Sequence, residues 1–508
     1  MLTAAAALGL LDAAPSPSRG PGATATSPAH AALARTLAAR GTVLLKNEGG
    51  LLPLDPASPA LARGILVLGD ADTVTGCGSG SVRAPHVTTP FQGLFAALSA
   101  NASRPLNCSV LAGVDFFQDG APCATIAANA SAGLAGACCA LCTSLASCNA
   151  WTVVPAAVCP GQPAPPGAAA TGQCFLKPDT AGQRPHPGIV SGTCAPYPPT
   201  QPPLLEFPEA LGDPAAAAAL AREFDAVLIV AALPVQEPQP GCEGTDRTTL
   251  ALPPAYDALI AAVAAANPST IVVTRTGGAA LMPWLGSVRA VLHQGLAGQE
   301  AGGALADVLL GALNPSGKLT LSFPASDTEH WLRSAAQYPG VFNASGDGFW
   351  ATSYSEGMEV GYRYYAARRG ATAPPLFPMG AGLSYSTFAY SDLRVDGGPL
   401  NASDPRAPPA RVSLTVTNAA GPPGRETVQL YLQGPLAGDA AALKAFAGTG
   451  LLASGASARV VLQLAPRDLQ YYDEGAAAWR GYAAGAYAVA VGASAEDWRL
   501  SGSLAVVQ

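Results

Sequence analysis

Charge is scarce in this chain. Asp, Glu, Lys and Arg make up 12% of the 508 residues, against 49% apolar residues, and the formal net charge is -7. No basic run occurs, which excludes a nucleic-acid partner, because such binding rewards clustered Lys and Arg. Long apolar runs are also lacking. None reaches the roughly 20 residues needed to cross a bilayer, so no membrane span is expected. The stretch up to Leu11 is apolar but has no Lys or Arg ahead of it, the charge that opens a secretory signal peptide. The five histidines show no metal spacing. No GK[ST] follows the chain's Gly-rich turn, so it is not a phosphate loop. No nucleophile elbow supports Ser-His-Asp chemistry, and no solenoid repeat is evident. No metal or organic cofactor is expected.

Alanine is abundant in helical and strand patterns alike, a compositional bias and not a coiled coil. Cysteine is concentrated in one place: of eleven, nine lie between Cys108 and Cys194. Cys138, Cys139, Cys142 and Cys148 form no paired CxxC knuckles of a zinc site, so disulfides and an oxidising compartment are the preferred reading. The odd count leaves one thiol unpaired or intermolecular. Asn-x-Ser sequons at Asn101, Asn107, Asn129, Asn343 and Asn401 agree with a secreted, extracellular or cell-wall protein.

From about Ala31 helix and strand patterns alternate. Residues 31–40 read as a helix. Ile65-Leu66-Val67-Leu68-Gly69-Asp70 is a short apolar run ending in a polar residue, the pattern of a buried parallel strand. Residues 226–233, 270–274 and 288–292 repeat it, with helical patterns at 255–266 and 300–313 between and after them. Such alternation implies a parallel sheet covered on both faces, with functional loops beyond the carboxyl ends of its strands. Residues 112–200, dense in Cys and Pro, interrupt the pattern as an inserted module, with Pro-rich loops at 155–168 and 195–204. After about residue 392 alternation has period two: Val412, Leu414 and Val416; Val428, Leu430 and Leu432; less cleanly Val461, Leu462 and Leu464; and Tyr487, Val489 and Val491. Short strands of this kind between Gly and Pro turns read as an antiparallel sandwich.

Several segments then fall into one order. They are GTVLLKNEGGLLPL at 41–54, GCGSGSV at 76–82 with TPFQGL at 89–94, and EGTDRTTLALP at 243–253. MPWL at 282–285, GQEAGGALADVLLGALNPSGKLTLSFP at 298–324, YSEGMEVGYRYY at 354–365 and PLFPMGAGLSY at 375–385 follow. Together they resemble glycoside hydrolase family 3, the β-glucosidase and β-xylosidase group. The tail, with VTNAAGPPGRETVQLYL and LQYYDEGAAAW, is similar to that family's fibronectin type III-like domain. The resemblance implies an (α/β)6 sandwich domain interrupted by a Cys-rich insert and followed by a fibronectin type III-like β-sandwich. The expected divisions are a linker at 1–30, the sandwich domain at 31–111 and 201–391, the insert at 112–200 and the β-sandwich at 392–508. The insert, with CCALCTSLASCNAW, CFLK and GIVSGTC, resembles a PAN/Apple module. Family members also carry a (β/α)8 barrel with the aspartate nucleophile. Nothing before residue 30 could form one, and LGLLD at 8–12 resembles the segment leaving it, so Met1 is expected to lie within a longer reading frame.

Retaining hydrolysis of a β-glycoside needs two carboxyl groups about 5–5.5 Å apart, one attacking the anomeric carbon and one protonating the leaving oxygen. The residue matching the family's acid/base is Glu243, on a loop after the apolar run at 226–233; Glu237 is the nearby alternative. Read without the resemblance, Glu243 and Arg247 make a surface ion pair. Asp246 and Arg247 are expected to shape the loop, with Arg247 near the substrate. Ser79, Gly80 and Ser81 either line the leaving-group side or form only a turn. Trp284 and Tyr362 either stack on sugar or pack in the core. A disulfide between Cys77 and Cys242 would tie the two loops together. The expected activity is an exo-acting retaining β-glucosidase or β-xylosidase on a β-linked oligosaccharide or glycoside. This chain would carry the acid/base half and be inactive alone. The alternatives are a non-catalytic secreted protein that binds carbohydrate or protein through the insert and β-sandwich, and a structural wall or adhesion protein.

Overall fold

The structure is a computed structural model. It describes residues 27–69, 75–76, 81–82, 84, 86–100, 204–233, 247–342, 349–404, 406–434 and 440–507, and the backbone of strands within 109–193. The first domain is built on strands β1 (Val43–Asn47), β2 (Ile65–Gly69), β3 (Ser109–Phe116), β4 (Cys123–Ala128), β5 (Ala150–Pro155), β6 (Ala170–Lys177), β7 (Gln183–Thr193), β8 (Leu204–Phe207), β9 (Ala226–Ala232), β10 (Thr270–Arg275) and β11 (Ala290–His293). They form one sheet in the order β1-β11-β10-β9-β2-β8-β3-β7-β5-β6-β4. The run from β11 to β3 is parallel throughout. β1 closes one edge antiparallel, and β7, β5, β6 and β4 extend the other edge antiparallel. The expectation of disulfides, and with it any pairing of Cys77 or of the cysteines at 108–194, lies outside the described side chains.

The central strands are apolar without interruption because both faces are covered. Ile65, Val67, Leu228 and Val230 enter one core, and Leu66, Leu68, Val227 and Ile229 the other. Helices α1 (Pro28–Gly41), α2 (Pro90–Ala100), α3 (Pro214–Ala221), α4 (Pro254–Ala266) and α5 (Ala301–Leu309) supply the outer layers, while α6 (Tyr362–Ala367) packs through Tyr362 against residues of the second domain. Residues of α1, α2 and α5 pack in the first core, and those of α3 and α4 in the second. Proline opens α1, α3 and α4 at positions where its missing N–H costs nothing. Ser27 and Asp213 cap two of these helices by accepting from the backbone N–H of His30 and Ala216. Gly93 and Gly302 bring α2 against α5: a Cβ on Gly302 would lie 1.9 Å from the Thr89 carbonyl oxygen.

A small hairpin, β12 (Val341–Phe342) with β13 (Trp350–Ala351), precedes the second domain. That domain is a two-sheet sandwich. One sheet orders β14 (Thr387–Asp396), β16 (Ala410–Ala420) and β19 (Ser457–Leu464). The other orders β15 (Leu400–Asn401), β23 (Trp498–Val507), β22 (Gly485–Gly492), β17 (Thr427–Gln433) and β18 (Ala442–Gly448). A hairpin of β20 (Gln470–Asp473) and β21 (Ala478–Gly481) completes it. Val412, Leu414, Val416, Val428, Leu430, Leu432, Tyr487, Val489 and Val491 fill the core, as their period of two predicts. On β19 the buried set is Val460, Leu462 and Leu464, while Val461 is exposed; the irregular reading of that strand is corrected accordingly.

Candidate active site

The site is built from the sheet's order. β2 lies between β8 and β9. Successive strands pass to one side of it up to β8, and to the other side from β9 onward. This reversal is where open α/β sheets leave a crevice at the carboxyl ends of their strands. β2 and β9 are parallel neighbours, with Gly69 opposite Val230. Gly69 has φ +95°, and a Cβ there would meet the Val230 carbonyl oxygen at 2.2 Å. Only glycine makes that exit. The chain leaving β2 goes on to Ser79, Gly80 and Ser81, and the chain leaving β9 goes on to Glu243. The two segments therefore depart from one edge, side by side.

Of the residues expected at the site, Ser81 and Arg247 fall within the described residues. Ser81 is exposed. Ser79, Gly80 and Glu243, with Cys77, Glu237, Cys242 and Asp246, lie outside them. Where the Gly/Ser segment returns, it is caught by the stretch after β11. The Thr88 N–H donates to the Gln299 carbonyl (2.8 Å), the Gly302 N–H donates to Thr88 (2.9 Å), and His86 Nε2 meets Glu300 Oε1 at 2.9 Å.

Arg247 sits four positions after Glu243 and fixes the end of the second segment. Its Nη1 donates to the Ala279 carbonyl (2.9 Å) and its Nη2 to that of Ala251 (3.4 Å). Burial pushes this guanidinium below its ordinary value, while Asp327 and Tyr338 act in the opposite sense. Asp327 holds Thr249 and Leu250 just beyond, accepting from the Thr249 hydroxyl and, at 2.7 Å, from the Leu250 N–H. Beside them opens a cavity of about 680 Å³ whose lining includes Arg247, Thr249, Asp327, His330, Trp331 and Tyr338. Its volume is in the range of small-molecule sites. Its walls offer an aromatic surface and a few polar groups, a combination suited to a sugar or an aglycone.

Two groups at this edge escaped the sequence reading. Arg275, at the end of β10, is completely buried. Its Nε donates to Gln294 Oε1 (2.9 Å), and Gln294 Nε2 donates to the Ala301 carbonyl (2.8 Å). His293 ends β11, with Nδ1 at 3.0 Å from the Thr274 hydroxyl and its ring edge-on to Phe323. Burial lowers His293 to about 4. It borders a small cavity of about 160 Å³ between Gly277, Gly278 and Gly295. Both are polar side chains within apolar strands, a pattern that marks the edge but not the role. The two aromatic candidates resolve toward the core. Trp284 is buried, with Nε1 donating to Asp257 (3.0 Å). The Tyr362 hydroxyl accepts from the Leu443 N–H (2.9 Å).

Among the described residues no cluster of His, Cys, Asp and Glu could hold a metal ion, and no helix is long and apolar enough to cross a membrane.

Comparison with known proteins matches residues 42–385 to the glycosyl hydrolase family 3 C-terminal domain and residues 426–495 to a fibronectin type III-like domain. A β-glucosidase of Rhizobium radiobacter is 40% identical over 299 residues, which cover 58% of this chain and 34% of the relative. β-Glucosidase B of Emericella nidulans is 36% identical over 261 residues, 50% of this chain and 30% of the relative. The chain thus spans about a third of the length of these curated relatives. Among solved structures, a β-glucosidase from Streptomyces venezuelae in complex with D-glucose aligns at 27% identity and TM-score 0.67, covering all of this chain and 63% of that one.

Proposed function

This chain belongs to glycosyl hydrolase family 3, and from that premise we propose that it carries the acid/base half of a retaining, exo-acting β-glucosidase-type O-glycosidase. Glu243 is the proton donor, and the aspartate nucleophile lies on a barrel outside these 508 residues. The observation that carries this reading is the shared exit of the Gly/Ser segment and the Glu243 segment from neighbouring parallel strands β2 and β9, at the point where strand order reverses. The segment that carries Glu243 resumes at Arg247, which lines the larger cavity.

In this mechanism the barrel aspartate attacks the anomeric carbon while Glu243 protonates the departing oxygen. Glu243 then takes a proton from the water that releases the sugar. Arg247 acts as a positioning residue: its charge is spent on two backbone carbonyls of its own domain, and the ion pair with Glu243 is not needed to explain it. Ser79, Gly80 and Ser81 line the leaving-group side. The relatives' β-glucosidase activity favours a glucoside over a xyloside. The cysteine-dense stretch, with its antiparallel strands β4 to β7, fits a PAN/Apple-like module, and its composition fits a secreted, disulfide-bonded glycoprotein.

The test is Glu243→Gln in an enzyme that joins this chain to a family barrel. General-acid assistance contributes roughly 10²- to 10⁴-fold. The variant should therefore lose about that factor on cellobiose, whose leaving group needs a proton. It should lose far less in the first step on a dinitrophenyl glucoside, whose leaving group does not. Equal losses on both substrates would remove Glu243 from the role.

A further inference from the structure

Strand β17 departs from the pattern of a sandwich strand. Val428, Leu430 and Leu432 face the sandwich core, so the residues between them should face water. Instead Gln429 is 4% exposed and Tyr431 only 1%. At Tyr431 the cover comes from helix α6 and the chain beside it, at the seam between the domains. The Tyr362 ring meets that of Tyr431 edge-on, with centroids 6.2 Å apart. Its hydroxyl accepts from the N–H of Leu443 on the neighbouring strand β18 (2.9 Å). Just past the helix, Arg369 pairs with Glu496 at 3.0 Å and lies 4.9 Å from the centroid of the Trp498 ring.

Two residues along a helix turn the side chain through about 200°, so Tyr364 leaves α6 on the face opposite Tyr362. Its ring lies between Arg333 (5.3 Å to the centroid) and Arg368 (4.6 Å), and its hydroxyl accepts from Arg333. The Tyr365 hydroxyl donates to the Glu329 carbonyl (3.3 Å). Ahead of the helix, Glu356 accepts from Gln337 Nε2 (2.9 Å) and the Ser353 N–H donates to the Ala336 carbonyl (2.7 Å). All of these bonds end within 327–338, the stretch that lines the larger cavity together with 247–250. That wall is tied in turn to the segment after Glu243. Asp327 accepts from Thr249 and Leu250, and the Tyr338 hydroxyl donates to the Arg247 carbonyl at 3.4 Å. Contacts therefore run unbroken from the sandwich, through α6, to the wall and on to Arg247. Close-packed groups pass a displacement on because they leave no void to absorb it. We propose that the sandwich domain braces this cavity: α6, wedged between the two, holds the 327–338 wall in register with the segment that carries Glu243. Tyr362 bears on the sandwich, Tyr364 and Tyr365 on the wall. The consequence for hydrolysis rests on Glu243 as proton donor; the brace itself does not.

The wall's own amides provide the test. Those of Gln337, Tyr338 and Gly340 are bonded to the carbonyls of Ser334 and Ala335, and the Leu250 N–H is bonded to Asp327. Hydrogen exchange of the 508-residue chain, read by mass spectrometry on peptides covering 247–251 and 329–340, follows them without any hydrolysis. Among the described residues the polar and ring contacts of Tyr362 are to Leu443 and Tyr431, not to the wall. A change in the wall on its removal is therefore transmitted and not local. Tyr362→Ala should speed exchange in both peptides roughly 10-fold or more. Tyr362→Phe keeps the ring and should restore most of the protection. Arg480→Ala breaks a pair with Asp473 elsewhere on the sandwich and should leave both peptides as in wild type. Should Tyr362→Ala not fold, Arg369→Ala weakens the same contact from its exposed end and should speed both peptides roughly 3-fold. Unchanged wall exchange in the folded variant, or equal acceleration by Arg480→Ala, would overturn the brace and leave α6 as packing for the sandwich alone. Glu243→Gln should leave the exchange unchanged, so the brace and the hydrolytic reading can fail separately.

Discussion

His293 is a titratable group held in the wrong state for its surroundings to tolerate a proton. Burial lowers it to about 4 from 6.5, and a hydroxyl, a ring edge and glycine backbone surround it. Above pH 6.5 both the folded and unfolded chains hold it neutral, and it contributes nothing to the pH slope. As pH falls from 6.5 toward 4 the unfolded chain takes up the proton first, so the folded state loses stability, by about 3 kcal/mol across the window. Below about 4 both states are protonated and the slope ends. His293→Gln should remove this component, so the difference in urea midpoint between variant and wild type should move in the variant's favour between pH 7 and pH 4. A difference that stays constant over that range would show that folding does not lower the pKa of His293. At this scale the sequence was least informative. MPWL marked Trp284 as notable, but its indole serves Asp257 in the core. Arg275 stood in an apolar run with no sign that its charge is fully buried. A side chain's role here depends on partners brought from distant segments, and no local pattern carries them.

Elements were far more legible, because their signals are local. The runs at 65–69, 226–233, 270–274 and 288–292 are strands in one parallel sheet, since a strand buried on both faces must be apolar throughout. The helical pattern at 300–313 ends early, at Leu309, because Gly311 takes φ +75° and turns the chain out of the helix. The helix at 31–40 starts earlier, at Pro28, because Ser27 caps it. Two short strands escaped notice. β1 is an antiparallel edge strand whose last residues are polar, and β8 follows a Pro-rich stretch read as loop. The contact of α2 with α5 is an element-scale feature with a test. A Cβ at Gly302 would lie 1.9 Å from one backbone oxygen and 2.4 Å from another, and backbone cannot swing aside as a side chain can. Gly302→Ala should cost about 1–3 kcal/mol or more by forcing the helices apart, lowering the melting temperature by roughly 2–4 °C per kcal/mol. It should also disturb the Thr88–Gly302 bond that anchors the returning Gly/Ser segment. A variant with wild-type melting would mean that α2 and α5 are not in contact as described.

At the scale of the whole molecule, what matters is how firmly the sandwich is joined to the sheet domain. The change of periodicity near residue 392 announced two domains, but not the bonds between them, whose partners lie far apart in the chain. Gln429 Nε2 donates across the seam to the Gly380 carbonyl (3.1 Å) and within the sandwich to that of Ala493 (2.7 Å), and Asn314 Nδ2 donates to the Ser386 hydroxyl (2.8 Å). The Lys318–Glu426 pair crosses the same seam with side chains only 14% and 6% exposed. A buried pair of this kind adds little net stability over well-packed apolar residues, yet removing one partner strands a charge and costs about 3–5 kcal/mol. Glu426→Ala should therefore destabilise by about that amount, and Lys318→Met combined with Glu426→Leu should recover most of it. Because the stranded charge lies between the domains, the loss should fall on their coupling first. Calorimetry of the wild type should show one transition, Glu426→Ala should split it into two, and the double variant should restore one. If Glu426→Ala instead lowered a single undivided transition, the pair would be stabilising the sandwich alone and the seam would be held by the Gln429 and Asn314 bonds.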